Sequence, residues 1–259
     1  MRERSFKSFA KINISLAVTE HRSDGYHELD SIMVPIELHD SIIISGLNTA
    51  HDHFITVDDF ECKLGHFNLV GNCIDALGKK YKFNNKFRVY IHKNIPMQAG
   101  LGGGSSNAAC TMKAVSEMLK LNVTSEEIIK LATPFGADIP FFVDCKPARA
   151  NGIGEKLTPI EIKNDYYVVL VKPKAGCSTK EIFALVDSKP YKKVDVDNVV
   201  KALKDGDDEL LAKSMGNSLE DAAIELVPEI KSIKEMLYEH GFKIVGLSGS
   251  GSTVFALTQ

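Results

Sequence analysis

Apolar and polar residues alternate from Lys11 to Val18. Ile12, Ile14, Leu16 and Val18 face one way and Lys11, Asn13 and Ser15 the other, the period-two pattern of a half-buried strand. Lys11 and Asn13 then share a face, roughly 6.6 Å apart along the strand. Pattern alone leaves that face either solvated or part of a site. Further strands are predicted at Ile32–Ile36, Ile42–Ile44, Phe54–Val57 and Phe87–Ile91, and Phe67-Asn-Leu-Val70 opens a helix to about Lys80. The period lengthens after Gly104: Ala108, Met112, Val115 and Leu119 recur at i, i+4, i+7 and i+11, one buried helix face. Thr124-Ser-Glu-Glu127 is a capping box for a helix through Ala132, broken by Pro134 and Gly136. Pro140 biases Ile139 toward extended backbone, so Asp138 is expected in a loop entering an apolar strand. There it is either a cap for nearby backbone or a catalytic base.

Asn151-Gly-Ile-Gly-Glu155 reads as a turn and Lys156-Leu-Thr-Pro159 as a domain junction, dividing the chain into residues 1–160 and 161–259. The second part begins with a strand at Tyr167–Val171. Two acidic amphipathic helical stretches follow, near 196–215 and 218–241, the latter interrupted at Pro228. Gly241 suits a C-cap, Phe242–Val245 a strand, Gly246-Leu-Ser-Gly-Ser-Gly-Ser-Thr253 a flexible loop and Val254–Leu257 a last strand. No internal repeat or disordered linker interrupts this order.

The chemistry concentrates in Pro96-Met-Gln-Ala-Gly-Leu-Gly-Gly-Gly-Ser-Ser106, where four of the five residues from Gly100 to Gly104 are glycine. Glycines let successive N–H groups turn inward, and the first turn of the following helix adds unpaired donors at the positive end of its dipole. Phosphate fits such a cradle. The stretch lacks the Gly-Lys-Ser/Thr of the P-loop and the third glycine of the dinucleotide fingerprint. Gly104-Ser-Ser106-Asn-Ala108 weakly resembles a hydrolase nucleophile elbow, which keeps a serine hydrolase using Ser106 as a competitor. After the Asp24-Gly25 turn, Tyr26 and His27 suit stacking on, and edge recognition of, a flat heterocycle; a tyrosine capping a strand pair is the commoner use.

Composition narrows the classes. The chain has 259 residues, 44% hydrophobic and 25% charged, with a net charge of −3, so neither a nucleic-acid surface nor a polybasic membrane attachment is expected. Apolar runs fall short of a bilayer span and the charged N-terminus lacks a signal-like core, so a cytoplasmic protein is expected. Five cysteines without a C-x-x-C pair argue against a disulfide framework and a zinc site, and no H-E-x-x-H is present. Cys110 reads as a small packing residue. No dedicated metal site is expected.

Anion cradle, strand lysine and loop aspartate together suit phosphoryl transfer: donors hold phosphates, a cation offsets charge and a carboxylate accepts the hydroxyl proton. Ala10-Lys-Ile-Asn13, Pro96–Ser106 and Gly246-Leu-Ser-Gly-Ser-Gly251 resemble the three signatures of the GHMP kinases. Asp24-Gly-Tyr-His-Glu-Leu29, Gly136-Ala-Asp-Ile-Pro140 and Gly152-Ile-Gly-Glu155 resemble the branch whose alcohol substrate carries a cytidine diphosphate. The resemblance runs in order over nearly the whole chain. It implies a two-domain α+β kinase: a ribosomal S5 domain 2-like N-terminal domain, a ferredoxin-like α/β C-terminal domain and an active site in the cleft between them. It implies ATP as co-substrate with Mg2+, held by Pro96, Met97, Gln98, Ala99, Gly100, Leu101, Gly102, Gly103, Gly104, Ser105 and Ser106, with Asn68 a further nucleotide contact. Asp138 would take the proton of the acceptor hydroxyl, and Lys11 would hold Asp138 and the attacking oxygen and favour their ionised forms. Asn13 would bind polar groups of the substrate, Tyr26 stack on the cytosine, His27 read its edge and Phe183 form a second wall. Phe9 stands where the family usually has proline, Gln98 where glycine is frequent and Lys146 where glycine is common. The partners implied are small molecules, with no nucleic acid or membrane; oligomeric state is left open. Rival readings are a kinase of homoserine or a mevalonate-type alcohol, the hydrolase, and an RNA-binding module.

Overall fold

A computed structural model of the chain describes residues 2–47, 52–58, 69–188 and 191–259. Along these residues run β1 (Arg4–His21), β2 (His27–Leu47), β3 (Phe54–Val57), α1 (Leu69–Tyr81), β4 (Lys86–His92), α2 (Gly103–Met118), α3 (Ser125–Ala132), α4 (Ile139–Asp144), β5 (Ala148–Gly152) and β6 (Lys156–Pro159). They continue as β7 (Tyr167–Val171), α5 (Thr179–Ser188), α6 (Val196–Asp205), α7 (Asp208–Ser214), α8 (Glu220–Leu226), α9 (Glu229–Glu239), β8 (Ile244–Leu247) and β9 (Val254–Thr258). The fold divides into two compact units. The first comprises Met1–Ala10, Glu37–Met97 and Gly102–Cys145; the second comprises Lys11–Ile36, Gln98–Leu101 and Lys146–Gln259.

In the first unit, Ser41–Leu47 of β2 pairs antiparallel with β4, and β3 joins β4 in parallel. Phe87, Val89 and Ile91 of β4 are buried while Arg88 and Tyr90 are exposed, the alternation of a sheet with one covered face. The expected face of α2 is realised, with Ala108, Met112 and Val115 fully buried. The capping box of α3 is also present: Thr124 Oγ1 accepts from the Glu127 N–H at 3.3 Å, and Glu127 Oε2 accepts from the Thr124 N–H at 3.1 Å. The segment after Asp138 differs from expectation. It is the helix α4 rather than a strand, because Pro140 in a first helical turn gives up only a donor that would be unpaired anyway.

In the second unit, β1 and β2 form a hairpin through Arg22–Tyr26, with Gly25 at φ +84°. β5 lies antiparallel to β2 from Leu29 opposite Gly152 to Met33 opposite Ala148, and β6 pairs with β5 across the expected turn. A separate three-stranded antiparallel sheet has the order β7-β9-β8. Its core gathers Leu16, Val18, Ile182, Val186, Leu219, Ile230, Leu237, Val245 and Val254. Arg149 on β5 grips Asp30 through both carboxylate oxygens, at 2.8 and 2.6 Å, and Asp197 of α6 at 2.7 Å; these contacts hold its pKa above the ordinary arginine value.

Three other expectations change. The 12–18 strand is the middle of an 18-residue β1 whose residues 11–18 are buried on both faces. The runs at 32–36 and 42–44 are one strand, β2, and the two C-terminal helical stretches are four helices, preceded by the unpredicted α5. Among the described residues no helix is long and apolar enough to cross a membrane.

The Asp40 side chain, fully buried in the first unit, accepts from the Asn94 and Ile95 N–H groups, each at 2.8 Å, and from the Lys93 ammonium. Removing one partner of a buried ion pair strands the other charge. Asp40→Ala should therefore cost about 3–5 kcal/mol in urea unfolding, with an unchanged midpoint counting against this anchor.

Candidate active site

The glycine-rich stretch is shared between the units, with Gln98–Leu101 in the second and Gly102 onward in the first. In the second unit it is tied to the Gly246–Thr253 loop through backbone. The Thr253 N–H donates to Ala99 O at 3.2 Å and Ser248 Oγ donates to Gly100 O at 2.9 Å. Gly100 has φ +73°, and a Cβ there would fall 1.9 Å from the Ser248 carbonyl oxygen, so no other residue fits. Ala99 and Leu101 are buried, and Leu101 O accepts from the Lys11 N–H at 3.1 Å. Gln98 holds φ +49° where glycine was anticipated, and its side chain lies where a Cβ on Gly176 would collide, at 2.6 Å.

Lys11 and Asn13 meet on the strand face, as expected, but both are buried. The Lys11 ammonium donates to Asn13 Oδ1. Asn13 Nδ2 donates to Ser31 Oγ at 2.8 Å, Ser31 Oγ to Ser15 O at 2.7 Å, and the Asn13 N–H to Ser248 Oγ at 3.2 Å. A Cβ on Gly249 would lie 3.3 Å from Lys11 Nζ and from Asn13 Oδ1, which places the second glycine loop against both side chains. Asn217 pins that loop, donating to Leu247 O at 2.9 Å and Gly249 O at 2.8 Å. Ser31, Ser248 and Asn217 escaped the sequence reading, because their roles appear only once three distant segments are together.

Elsewhere in the same unit, Tyr26 is 59% exposed and held by its N–H donating to Asp24 Oδ1 at 3.1 Å. Arg22, and then the Tyr26 N–H, hold the Asp24 carboxyl below its ordinary pKa. His27 is buried, stacked on Phe183 with ring centroids 4.7 Å apart, and its Nε2 lies 2.7 Å from Asp187 Oδ1. In the neutral ring, a proton on Nε2 toward the carboxylate leaves Nδ1 as the acceptor.

In the first unit, Gly102 at φ +71° precedes α2 and its carbonyl accepts from the Ser106 N–H at 2.9 Å. Ser106 is buried: its Oγ donates to Phe9 O at 2.6 Å and accepts from Ser8 Oγ at 2.7 Å. That hydroxyl is a peg between α2 and β1, with neither a histidine nor a carboxylate among the described residues bonded to it, which speaks against the nucleophile-elbow reading. Gly103 is required by Ile95 and by the Lys93 ammonium, 3.0 and 3.2 Å from a Cβ placed on it. Lys93, paired with Asp40, is a cation beside the glycine run that periodicity could not single out. Pro96 and Met97 are exposed, and Gly104 has open space where a Cβ would stand. Asp138 is half-buried at the N-cap position of α4 without spending its carboxylate on a cap bond, and Gly136 lies beside Ser105, whose Oγ would be 3.6 Å from a Cβ there. Asn68 lies outside the described residues. Cys110, whose Sγ donates to Lys7 O at 3.6 Å and whose pKa burial pushes up to about 12, is the packing residue expected.

Two family profiles match the chain: "GHMP kinases N terminal domain" over residues 68–145 and "GHMP kinases C terminal" over 199–259. A 4-diphosphocytidyl-2-C-methyl-D-erythritol kinase of Lachnospira eligens is 37% identical over 252 residues, 97% of this chain and 87% of that protein. Its counterpart from Alkaliphilus metalliredigens is 36% identical over 258 residues, 99% of this chain and 88% of that protein. A crystal structure of 4-(cytidine 5'-diphospho)-2C-methyl-D-erythritol kinase superposes with a TM-score of 0.81 at 29% identity, covering 99% of this chain and 90% of that one. A homoserine kinase from Cytophaga hutchinsonii shares the fold, with a TM-score of 0.72 at 16% identity over 98% of this chain and 85% of that one.

Gly100→Ala adds a methyl group to a left-handed residue pressed on a carbonyl. Its expected effect is a loss of roughly 3 kcal/mol or more in denaturant unfolding. A stability equal to that of the parent chain would mean that the two glycine loops part without cost.

Proposed function

Since the chain belongs to the GHMP kinases, in the branch of the 4-diphosphocytidyl-2-C-methyl-D-erythritol kinases, we propose that it transfers the γ-phosphoryl group of ATP to the 2-hydroxyl of 4-diphosphocytidyl-2-C-methyl-D-erythritol. The products are the 2-phosphate and ADP, in non-mevalonate isoprenoid precursor synthesis. The observation that carries this reading is the pair of glycine loops locked together against a buried lysine and asparagine. Such backbone, rigid before any ligand arrives, supplies oriented donors for phosphate oxygens without reorganisation at the moment of transfer.

In this reading Pro96–Ser106 hold the ATP phosphates through backbone donors and the α2 N-terminus, with Ser106 contributing through its peg on β1. Lys11 supplies the fixed positive charge toward the transferring group, and Asn13, its amide oriented by Lys11 and Ser31, binds polar groups of the acceptor. Asp138 accepts the hydroxyl proton as the oxygen attacks phosphorus. Tyr26 offers its exposed ring to the cytosine, while His27, backed by Phe183, presents Nδ1 to an amino edge. Mg2+ bound with the nucleotide would offset the charge of the phosphates that the Pro96–Ser106 stretch holds. The one group of three His, Cys, Asp or Glu side chains with converging donor atoms among the described residues holds two imidazoles, a poor set for a hard cation that prefers oxygen.

The deciding assay is ADP release from magnesium-ATP with the cytidylyl substrate, homoserine or mevalonate, the product confirmed by mass. Turnover of the cytidylyl alcohol alone supports the reading, and turnover of another alcohol instead replaces the substrate. Asp138→Asn should keep the fold and ATP binding but lower kcat by roughly 10²–10⁴-fold, the range for loss of a general base; near-parental turnover removes Asp138 from that role. Gly104 tests the cradle separately, because no atom of the described chain requires a glycine there. Gly104→Ala should leave stability unchanged or raise it by up to about 1 kcal/mol, yet raise the KM for ATP. An unaltered KM would argue that the phosphates lie elsewhere.

A further inference from the structure

Among the described residues, the side chains of His21, His27 and Asp187 form the one group of three potential metal ligands whose donor atoms lie within 4.8 Å of one another. All three belong to the second unit. His21 ends β1, His27 begins β2 after the five-residue turn between them, and Asp187 comes from the last turn of α5. Both imidazole Nε2 atoms converge on one carboxylate oxygen: His27 Nε2 is 2.7 Å and His21 Nε2 3.7 Å from Asp187 Oδ1. The rings meet edge to face at 4.9 Å, so the donors are held at different angles rather than stacked. His27 is further fixed from behind by Phe183. His21 and Asp187 are exposed, giving an ion a path from solvent.

We propose that His21, His27 and Asp187 form a binding site for a borderline divalent cation, with Zn(II) the best match, and that occupancy withdraws His27 from the nucleotide substrate. Two imidazole nitrogens and one carboxylate oxygen are a recurrent three-ligand zinc set, leaving a fourth position for water. Bonds of roughly 2.0–2.2 Å from a shared ion place such donors a little over 3 Å apart, and small rotations of the exposed His21 and Asp187 reach that spacing. The ion takes the place of the proton between His27 and Asp187. In the neutral ring that proton leaves Nε2, by way of solvent, and one is gained at Nδ1, so the bound ion turns Nδ1 from an acceptor into a donor. The link to substrate rests on the role proposed for His27 above; the ion site itself does not.

The test begins with metal-stripped full-length protein, without ATP or nucleotide, titrated with Zn(II) against a chromophoric chelator and with Co(II) by visible absorption. One ion per chain is expected, with the d–d bands of four-coordinate Co(II) and no thiolate charge-transfer band. His21→Ala should weaken Zn(II) by roughly 100-fold, and Asp187→Asn provides a second disruption from a different element. Binding in both variants equal to that of the parent chain, or a thiolate band in its place, overturns the site. In the kinase assay, Zn(II) should raise the KM for the cytidylyl substrate in the parent protein and not in His21→Ala, each compared with its own KM without zinc. Zinc bound at these residues with KM unmoved would overturn the coupling through His27, and with it the edge-reading role, while leaving the ion site standing.

Discussion

A buried ammonium group imposes more order on the second unit than any other single feature. Taking Lys11 out of water is tolerable only if acceptors are already aimed at it. The Asn13 amide oxygen is one, and this choice settles the rest: with Oδ1 turned to Lys11, Nδ2 must find its own acceptor and finds Ser31, whose hydroxyl passes the bond to Ser15 O. The Asn13 backbone then reaches Ser248, and Ser248 reaches Gly100. One charge on β1 thus orients an amide and two hydroxyls, and through Ser248 both glycine loops. A buried network of this kind resists local change, because removing a member leaves a neighbour unsatisfied in a low-dielectric setting.

The glycines around it fall into two physical classes. Gly100 and Gly103 are demanded by the chain itself, one by a carbonyl oxygen and the other by Ile95 and Lys93. Gly104 is demanded by none of the described residues, although glycine in a first helical turn gives up helix propensity. An absent side chain with vacant space before it is what close approach of phosphate oxygens to backbone N–H groups calls for. The same run therefore combines glycines that build the loop with one, Gly104, that has open space before it and fits the proposed phosphate cradle.

Local chemistry was legible in the sequence where its cause is local. The capping box at Thr124, the turn at Asp24-Gly25, the β7 strand and the buried face of α2 each follow from a few neighbouring residues. The strand face of Lys11 was read correctly as a face and wrongly as half-buried. Its covering comes from Ser31 on β2 and from the loop at Gly249, more than two hundred residues away, which lies against Lys11 and Asn13. Asp138 was expected before a strand because Pro140 biases Ile139 toward extended backbone, but proline in a first helical turn gives up no paired donor, and α4 forms there. Pro35 lies inside the expected 32–36 run and is tolerated in β2 because it sits between the β5 ladder, which ends at Met33, and the β4 ladder, which begins at Ser41, where neither of these partners needs its missing N–H.

Tyr26 and His27, proposed above to read a heterocycle, show how burial separates adjacent residues. Tyr26 ends the turn and His27 begins β2, and the structure leaves the tyrosine ring exposed while enclosing the imidazole between Phe183, His21 and Asp187. An exposed ring can adjust to a flat base at little cost. An enclosed imidazole cannot, and its hydrogen-bonding polarity is set by whichever partner holds Nε2. The sequence contains both residue types but not that partner, since Asp187 is 160 positions away and arrives on a helix the periodicity did not reveal. In the proposed reading, specificity at this position is a property of the α5–hairpin contact as much as of His27, because whatever holds Asp187 sets the polarity of the imidazole.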